Sequence, residues 1–253
     1  MSSCLSIERD EQIAHIRFNR CEAYNALNEA FANELLDSCR SLAQDKALRV
    51  VILSGNGKAF MAGGDLPSLR ADPLAAVEAL IPPLHESIEL LTSLQATVIA
   101  SVHGAVAGAG LSLALAADLV IAAESTRFSF AYSDIGTSCD GGLSWSLPRL
   151  VGLRKALEIA LLGQTFNAQE ALHMGLLNKV VDGDRLQAET QAVALELVSR
   201  ELPALGHLKR LLRQSFDKTL TEQLDQEYQA FRACAERPEF VAAIDAFYAR
   251  RKR

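Results

Sequence analysis

"RVVILSGNGKAFMAGGDL", residues 49–66, runs from an unbroken apolar stretch through a glycine turn to two glycines set directly before an aspartate. Consecutive apolar residues with β-branched members predict a strand buried on both faces, as in a parallel sheet covered on either side. A helical pattern follows over residues 73–94, and then the theme recurs: "TVIASVHG" reads as a strand, "AVAGAG" as a glycine-rich link, "LSLALAAD" as an apolar helix and "LVIAAE" as the next strand. Repeated strand-to-helix units predict parallel pairing in a layered α/β core.

Upstream, "LSIER" and "IAHIRFN" alternate on either side of "RDEQ", a pattern that predicts a hairpin. Asn28 stands at the N-cap of a run over residues 29–43 in which Phe31, Leu35, Leu36 and Cys39 recur at helical spacing. From about Gly152 the pattern turns helical, with runs at residues 153–163, 168–174, 184–200, 203–216, 220–235 and 238–250.

The chain has 253 residues, 49% of them apolar, enough for one large domain or a core with a small appendage. A formal charge of −6 argues against nucleic acid as a partner. The stretch "MSSCLSIERD" has no basic start leading into an apolar block, and no apolar run approaches the roughly 18 residues of a membrane span. The expectation is a soluble cytoplasmic protein with no membrane partner. Cys4, Cys21, Cys39, Cys139 and Cys234 are odd in number and scattered, which predicts reduced thiols, and the histidines show no metal-ligand spacing, so no metal is expected.

The glycine stretches carry the functional signal. Glycine admits positive φ and lets a ligand reach backbone N–H groups. Neither stretch is a phosphate loop: no Lys-Ser/Thr pair closes the run, and Gly104, Gly108 and Gly110 miss the dinucleotide spacing. Two amides from two such loops could instead meet on one oxygen.

Four segments in order carry a family likeness: "NALN" (residues 25–28), "GKAFMAGGDL" (57–66), "VHGAVAGAGLSLALAADLVIA" (102–122) and "IGTSCDGGLSWSLPRLVG" (135–152). With "LLGQTFNAQEALHMGLLNKVV" after them, the chain resembles the crotonase, or enoyl-CoA hydratase/isomerase, superfamily over nearly its whole length. The resemblance implies an α/β spiral of repeated ββα units over residues 1–200 and a C-terminal helical trimerisation region over 201–253, assembled as a homotrimer or dimer of trimers. It also implies a coenzyme A thioester as substrate, with no prosthetic group. By position, the N–H groups of Gly64 and Ala109 would hold the thioester carbonyl. Ala23, Ala62, Asp65 and Leu66 would line the adenine and pantetheine, with Asp65 serving more to fix its loop than in catalysis. Phe247 and Arg250 match the C-terminal aromatic and basic positions that reach coenzyme A.

The two glutamates of a hydratase of this family fall on Ser112 and Tyr132, neither of which is a carboxylic acid. That leaves Asp140, which the resemblance makes the proton shuttle of an enoyl-CoA isomerase, with Leu143, Trp145 and Ile135 as its expected apolar wall. Alone, an aspartate there also reads as the N-cap of a helix starting near Leu143. The resemblance leaves three other readings: a hydratase with rearranged groups, an aromatic acyl-CoA dehalogenase using Asp140 with His85, and a non-catalytic acyl-CoA-binding protein.

Overall fold

The computed structural model describes residues 3–251, with side chains described as far as residue 249. The chain divides into two compact units, residues 1–199 and 200–253.

The first unit opens with the hairpin β1 (Leu5–Asp10) and β2 (Ile13–Phe18), whose turn holds Glu11 at φ 48°. Helix α1 spans Glu29–Ala43, and Asn28 caps it by accepting the Phe31 N–H at 3.0 Å. Next come β3 (Val50–Gly55), the three-residue β4 (Ala59–Met61), α2 (Leu66–Ala71) and α3 (Pro73–Ser93). Strands β5 (Thr97–Val102) and β6 (Ala105–Ala107) lead into α4 (Ala109–Ala116). Strands β7 (Leu119–Ala123) and β8 (Arg127–Ser129) precede α5 (Leu143–Val151) and α6 (Leu153–Leu162). Then β9 (Thr165–Asn167), α7 (Ala168–His173), β10 (Lys179–Val181) and α8 (Leu186–Val198) complete the unit.

The long strands form a six-stranded sheet in the order β1-β2-β3-β5-β7-β10, parallel except for the first hairpin. The short strands build a second sheet, β4-β6-β8-β9, parallel except for its last pair. The three middle units, β3–β4, β5–β6 and β7–β8, thus each give one strand to each sheet before a helix. The half that reads as wholly helical also contributes β9 and β10, one to each sheet.

Side-chain alternation splits the core by face. Ala14, Ile16, Phe18, Val51, Leu53, Ala100, Val102 and Ala122 face α1, α3 and α4, while Ile13, Val50, Ile52, Ile99 and Ile121 face α8. That is why "VVIL" shows no polar side. Phe18 lies 5.1 Å from Phe31 and 5.0 Å from Phe60, centroid to centroid, and truncating one such ring costs about 3–5 kcal/mol.

The second unit consists of α9 (Leu202–Gln214), α10 (Leu220–Ala235) and α11 (Pro238–Arg251). Thr219 and Glu222 form a capping box at the start of α10. Leu212, Phe216, Leu220, Tyr228 and Phe231 remain exposed, and Ala230 is the one buried side chain among the unit's described residues. No helix among the described residues is long and apolar enough to cross a membrane.

Candidate active site

Two loops, one turn and one helix build the site. The first loop, residues 62–65, leaves β4 and is clamped by the segment before α1. Asn25, fully buried at φ 58°, donates through its side-chain amide to the carbonyls of Asn56 (3.0 Å) and Ala59 (2.8 Å) and accepts the Arg20 N–H at 2.8 Å. Leu27 donates its N–H to the Gly63 carbonyl at 2.8 Å and accepts the Asp65 N–H at 2.9 Å. This parallel bridge spends the groups on either side of Gly64 and turns the Gly64 N–H outward, since alternate peptides of a strand point opposite ways. Among the described residues that N–H has no acceptor.

The second loop joins β6 to α4 through Gly108, whose φ of 50° suits glycine alone at such a crossing. The N–H of Ala109 belongs to the first helical turn and likewise has no acceptor among the described residues. The loops touch backbone to backbone: a Cβ on Gly108 would lie 3.5 Å from Gly63 Cα. Gly64 and Ala109 each stand one residue past that contact.

Asp65 is occupied elsewhere. Its Oδ1 accepts the Ser68 N–H at 3.1 Å, capping α2, and the Ser68 hydroxyl at 3.0 Å, while Oδ2 pairs with Arg20 at 2.9 Å. Burial pushes its carboxyl upward, but the Arg20 and Ser68 donors together hold it below the usual range.

Asp140 lies in the turn before α5 and does not cap that helix, whose N-cap is Gly142 with no side-chain bond. Its Oδ1 accepts the Tyr132 hydroxyl at 2.6 Å. Ser112, fully buried on α4, sits 2.9 Å from the Tyr132 oxygen and donates toward the carbonyls of Asp140 (3.0 Å) and Gly108 (3.3 Å). Gly141, at φ 57°, brings the turn against α4, where a Cβ would lie 2.7 Å from that of Ser112. One helix therefore carries the free amide at its first residue and the support of the aspartate one turn on. Burial raises the Asp140 carboxyl despite the downward pull of Tyr132 and His85; burial and the Asp140 charge drive the Tyr132 phenol up, so it stays protonated.

His85 of α3 accepts the Gly141 N–H at Nε2 (3.1 Å), which places its ring proton on Nδ1. Leu143 is buried, but the expected apolar wall does not close: Ile135 and Trp145 are exposed, and Trp145 instead packs under Arg149, 4.1 Å from the ring centroid.

Of the positions matched to coenzyme A, Ala23 is half-buried and Ala62 and Leu66 are exposed around the first loop, tied by the Ala62 N–H on the Tyr24 carbonyl at 3.1 Å. Phe247 lies exposed in α11, in the second unit; Arg250 shares that helix, its side chain outside the described residues. The Asn25 clamp and the Arg20–Asp65 pair went unread in the sequence, and so did the bonding of Ser112 and Tyr132 to Asp140. A lone serine inside the apolar run "LSLALA" was the one clue.

The enoyl-CoA hydratase/isomerase family model matches residues 8–253. The chain belongs to that family. It is 32% identical to the 1,2-epoxyphenylacetyl-CoA isomerase of Escherichia coli, over 96% of this chain and 94% of the relative. It is 28% identical to 4-chlorobenzoyl coenzyme A dehalogenase-2 of an Arthrobacter species, over 98% and 92%. The crystal structure of an enoyl-CoA hydratase from Polaromonas sp. JS666 superposes with a TM-score of 0.92 at 32% identity, covering 97% of each chain. The fold is thus the crotonase fold of an acyl-CoA-processing family, whose members carry at least three different names for their chemistry.

Proposed function

We propose that this crotonase-family enzyme is an enoyl-CoA isomerase that moves a double bond along the acyl chain of a coenzyme A thioester. The observation that carries the reading is the state of Asp140: a half-buried carboxylate, raised in pKa by desolvation, that neither caps a helix nor pairs with a cation. Such a group can take a proton from carbon and give it back. The Gly64 and Ala109 amides, free of internal acceptors, hold the thioester oxygen as charge develops on it, each donor contributing about 3 kcal/mol to the barrier. Asp140 removes the proton at C2 of a 3-enoyl thioester, the electrons spread to C4 and the oxygen, and the proton returns at C4. The name of the E. coli relative agrees with isomerase chemistry.

Coenzyme A enters as part of the substrate. Ala23, Ala62 and Leu66 line its path and Asp65 serves by fixing the first loop; Phe247 and Arg250 are matched to coenzyme A by sequence position alone. The uncovered apolar side chains of α9 and α10 favour a homotrimer or dimer of trimers. We place the boundary between spiral core and helical region at residues 200 and 201.

A hydratase would need a second acid or base, yet Tyr132 is a hydroxyl already engaged with the Asp140 carboxylate and Ser112 one engaged with Tyr132 and the Asp140 carbonyl. His85, bonded to the residue after Asp140, favours a dehalogenase as second reading, but the Gly141 N–H holds the Nε2 lone pair that would have to activate water. The test is to assay 3-enoyl, 2-enoyl and halo-aromatic thioesters in parallel. Isomerisation should dominate and fall about 10²- to 10⁴-fold in Asp140→Asn. Hydration or dehalogenation that outpaces isomerisation would overturn the assignment.

A further inference from the structure

We propose that Tyr132, set by Ser112, is a positioning residue that pins one oxygen of Asp140, so that the other oxygen alone both takes the proton and returns it. The proposal rests on the reading of Asp140 as the base.

Tyr132 has a single hydroxyl proton. The 2.6 Å contact to Oδ1 is the length of a strong bond from a hydroxyl to a carboxylate, so the proton is committed there. The Tyr132 oxygen can then only accept, and the one hydroxyl proton of Ser112, 2.9 Å away, is shared between that oxygen and the Asp140 carbonyl at 3.0 Å. Tyr132 is buried, its ring edge-on to Phe130 at 5.3 Å between centroids, and Ser112 is fixed in the middle of α4. The peptide following Asp140 is held at both ends: its carbonyl is the other acceptor for that Ser112 proton, and the Gly141 N–H donates to His85 at 3.1 Å. Among the described residues Oδ2 has no partner.

This wiring dictates where the proton goes. Oδ1 already receives a proton from a phenol that burial keeps from ionising. When the C2–H bond breaks, its electron pair enters the enolate and the new O–H bond forms on Oδ2. That O–H bond then breaks as C4–H forms and the double bond moves from C3–C4 to C2–C3. The proton never enters the hydroxyl pair, because Tyr132 has no vacancy to receive it without giving up its own. Delivery from C2 to C4 is therefore direct, with little loss to solvent.

The test is a single turnover of a 3-enoyl thioester deuterated at C2, in ordinary water, measuring how much label reaches C4. Wild type should deliver a substantial share. In Tyr132→Phe the freed carboxyl can turn and exchange, so the delivered share should fall toward zero while kcat falls only about tenfold, the size of one hydrogen bond to a charged group. The acid limb of kcat/KM should also move to higher pH, because the carboxylate loses a donor while His85, the other ionisable group acting on it, stays. Delivery and acid limb unchanged in Tyr132→Phe, or no delivery in wild type, would overturn the proposal. Should Tyr132→Phe not fold, Ser112→Ala decides by the same two readouts, with smaller shifts in the same direction expected and none overturning it. Retained turnover in Asp140→Asn would instead defeat the base reading itself, a result separate from these.

Discussion

Asp65 and Asp140 both stand beside a pair of glycines in a short loop, Asp65 after Gly63 and Gly64, Asp140 before Gly141 and Gly142. Their surroundings treat them oppositely. Asp65 has both oxygens occupied, by a guanidinium on one side and by a hydroxyl and a backbone N–H on the other, and its carboxyl is held low. Asp140 has one neutral hydroxyl donor and no cation paired to it, and its carboxyl is held high. Number and charge of donors, rather than the loop, decide which aspartate is structural and which can exchange a proton at carbon.

The sharpest break in this contrast is Asp140→Asn. Turnover should fall about 10²- to 10⁴-fold, the range of a general base, while thermal unfolding shows a protein as stable as wild type or more so. The sign follows from linkage: a carboxyl raised in the folded state binds its proton more tightly there, so its charge costs stability at neutral pH. That cost shrinks as pH falls through the folded pKa. The advantage of Asp140→Asn should therefore be greatest near neutrality and vanish in acid.

Next in size is Ala109→Pro. Proline is tolerated at the first position of a helix and removes only the N–H. A loss of about 10²- to 10³-fold in kcat with a small change in unfolding temperature would fit an amide that acts on the transition state. Unchanged kcat would count against the two-amide site.

Asp65→Asn should invert the first result. It keeps the cap, since an asparagine oxygen can still accept the Ser68 N–H, but leaves the Arg20 guanidinium without its ion partner, so stability should drop by about 1–3 kcal/mol, while activity per folded molecule stays within a few-fold of wild type. A carboxyl lowered in the folded state contributes stability above its unfolded pKa of about 3.9 and loses it as pH falls through the folded value. The deficit of Asp65→Asn should thus narrow in acid. Urea unfolding at two pH values measures it.

Much of the scaffold was legible in the residues. Asn28 and the helical spacing after it mark α1 at its observed limits, because a side-chain cap and an apolar stripe are local signals. The second sheet was not readable that way: three residues cannot display an alternation, and β4, β6, β8 and β9 are all that short, as is β10 at the edge of the first sheet. In the site, motif order pointed to Gly64, Ala109 and Asp140, whereas Ser112 and Tyr132 registered only as missing carboxylates. Their hydroxyls meet Asp140 across 28 and 8 residues of chain, through the packing of a turn on a helix, and no local spacing encodes that contact.

The smallest effect is expected from His85→Gln. A glutamine oxygen can accept the Gly141 N–H as the imidazole does, so the isomerisation rate should stay within about threefold of wild type. A collapse of the rate would return His85 to a chemical role and revive the dehalogenase reading.

The most direct measurement brings a 3-enoyl thioester to equilibrium with its 2-enoyl isomer in heavy water and follows deuterium entering C2 and C4 by NMR. Wild type should incorporate label at both carbons over many turnovers, and folded Asp140→Asn should incorporate none above the rate without enzyme. Equal incorporation by the two proteins would contradict Asp140 as the base.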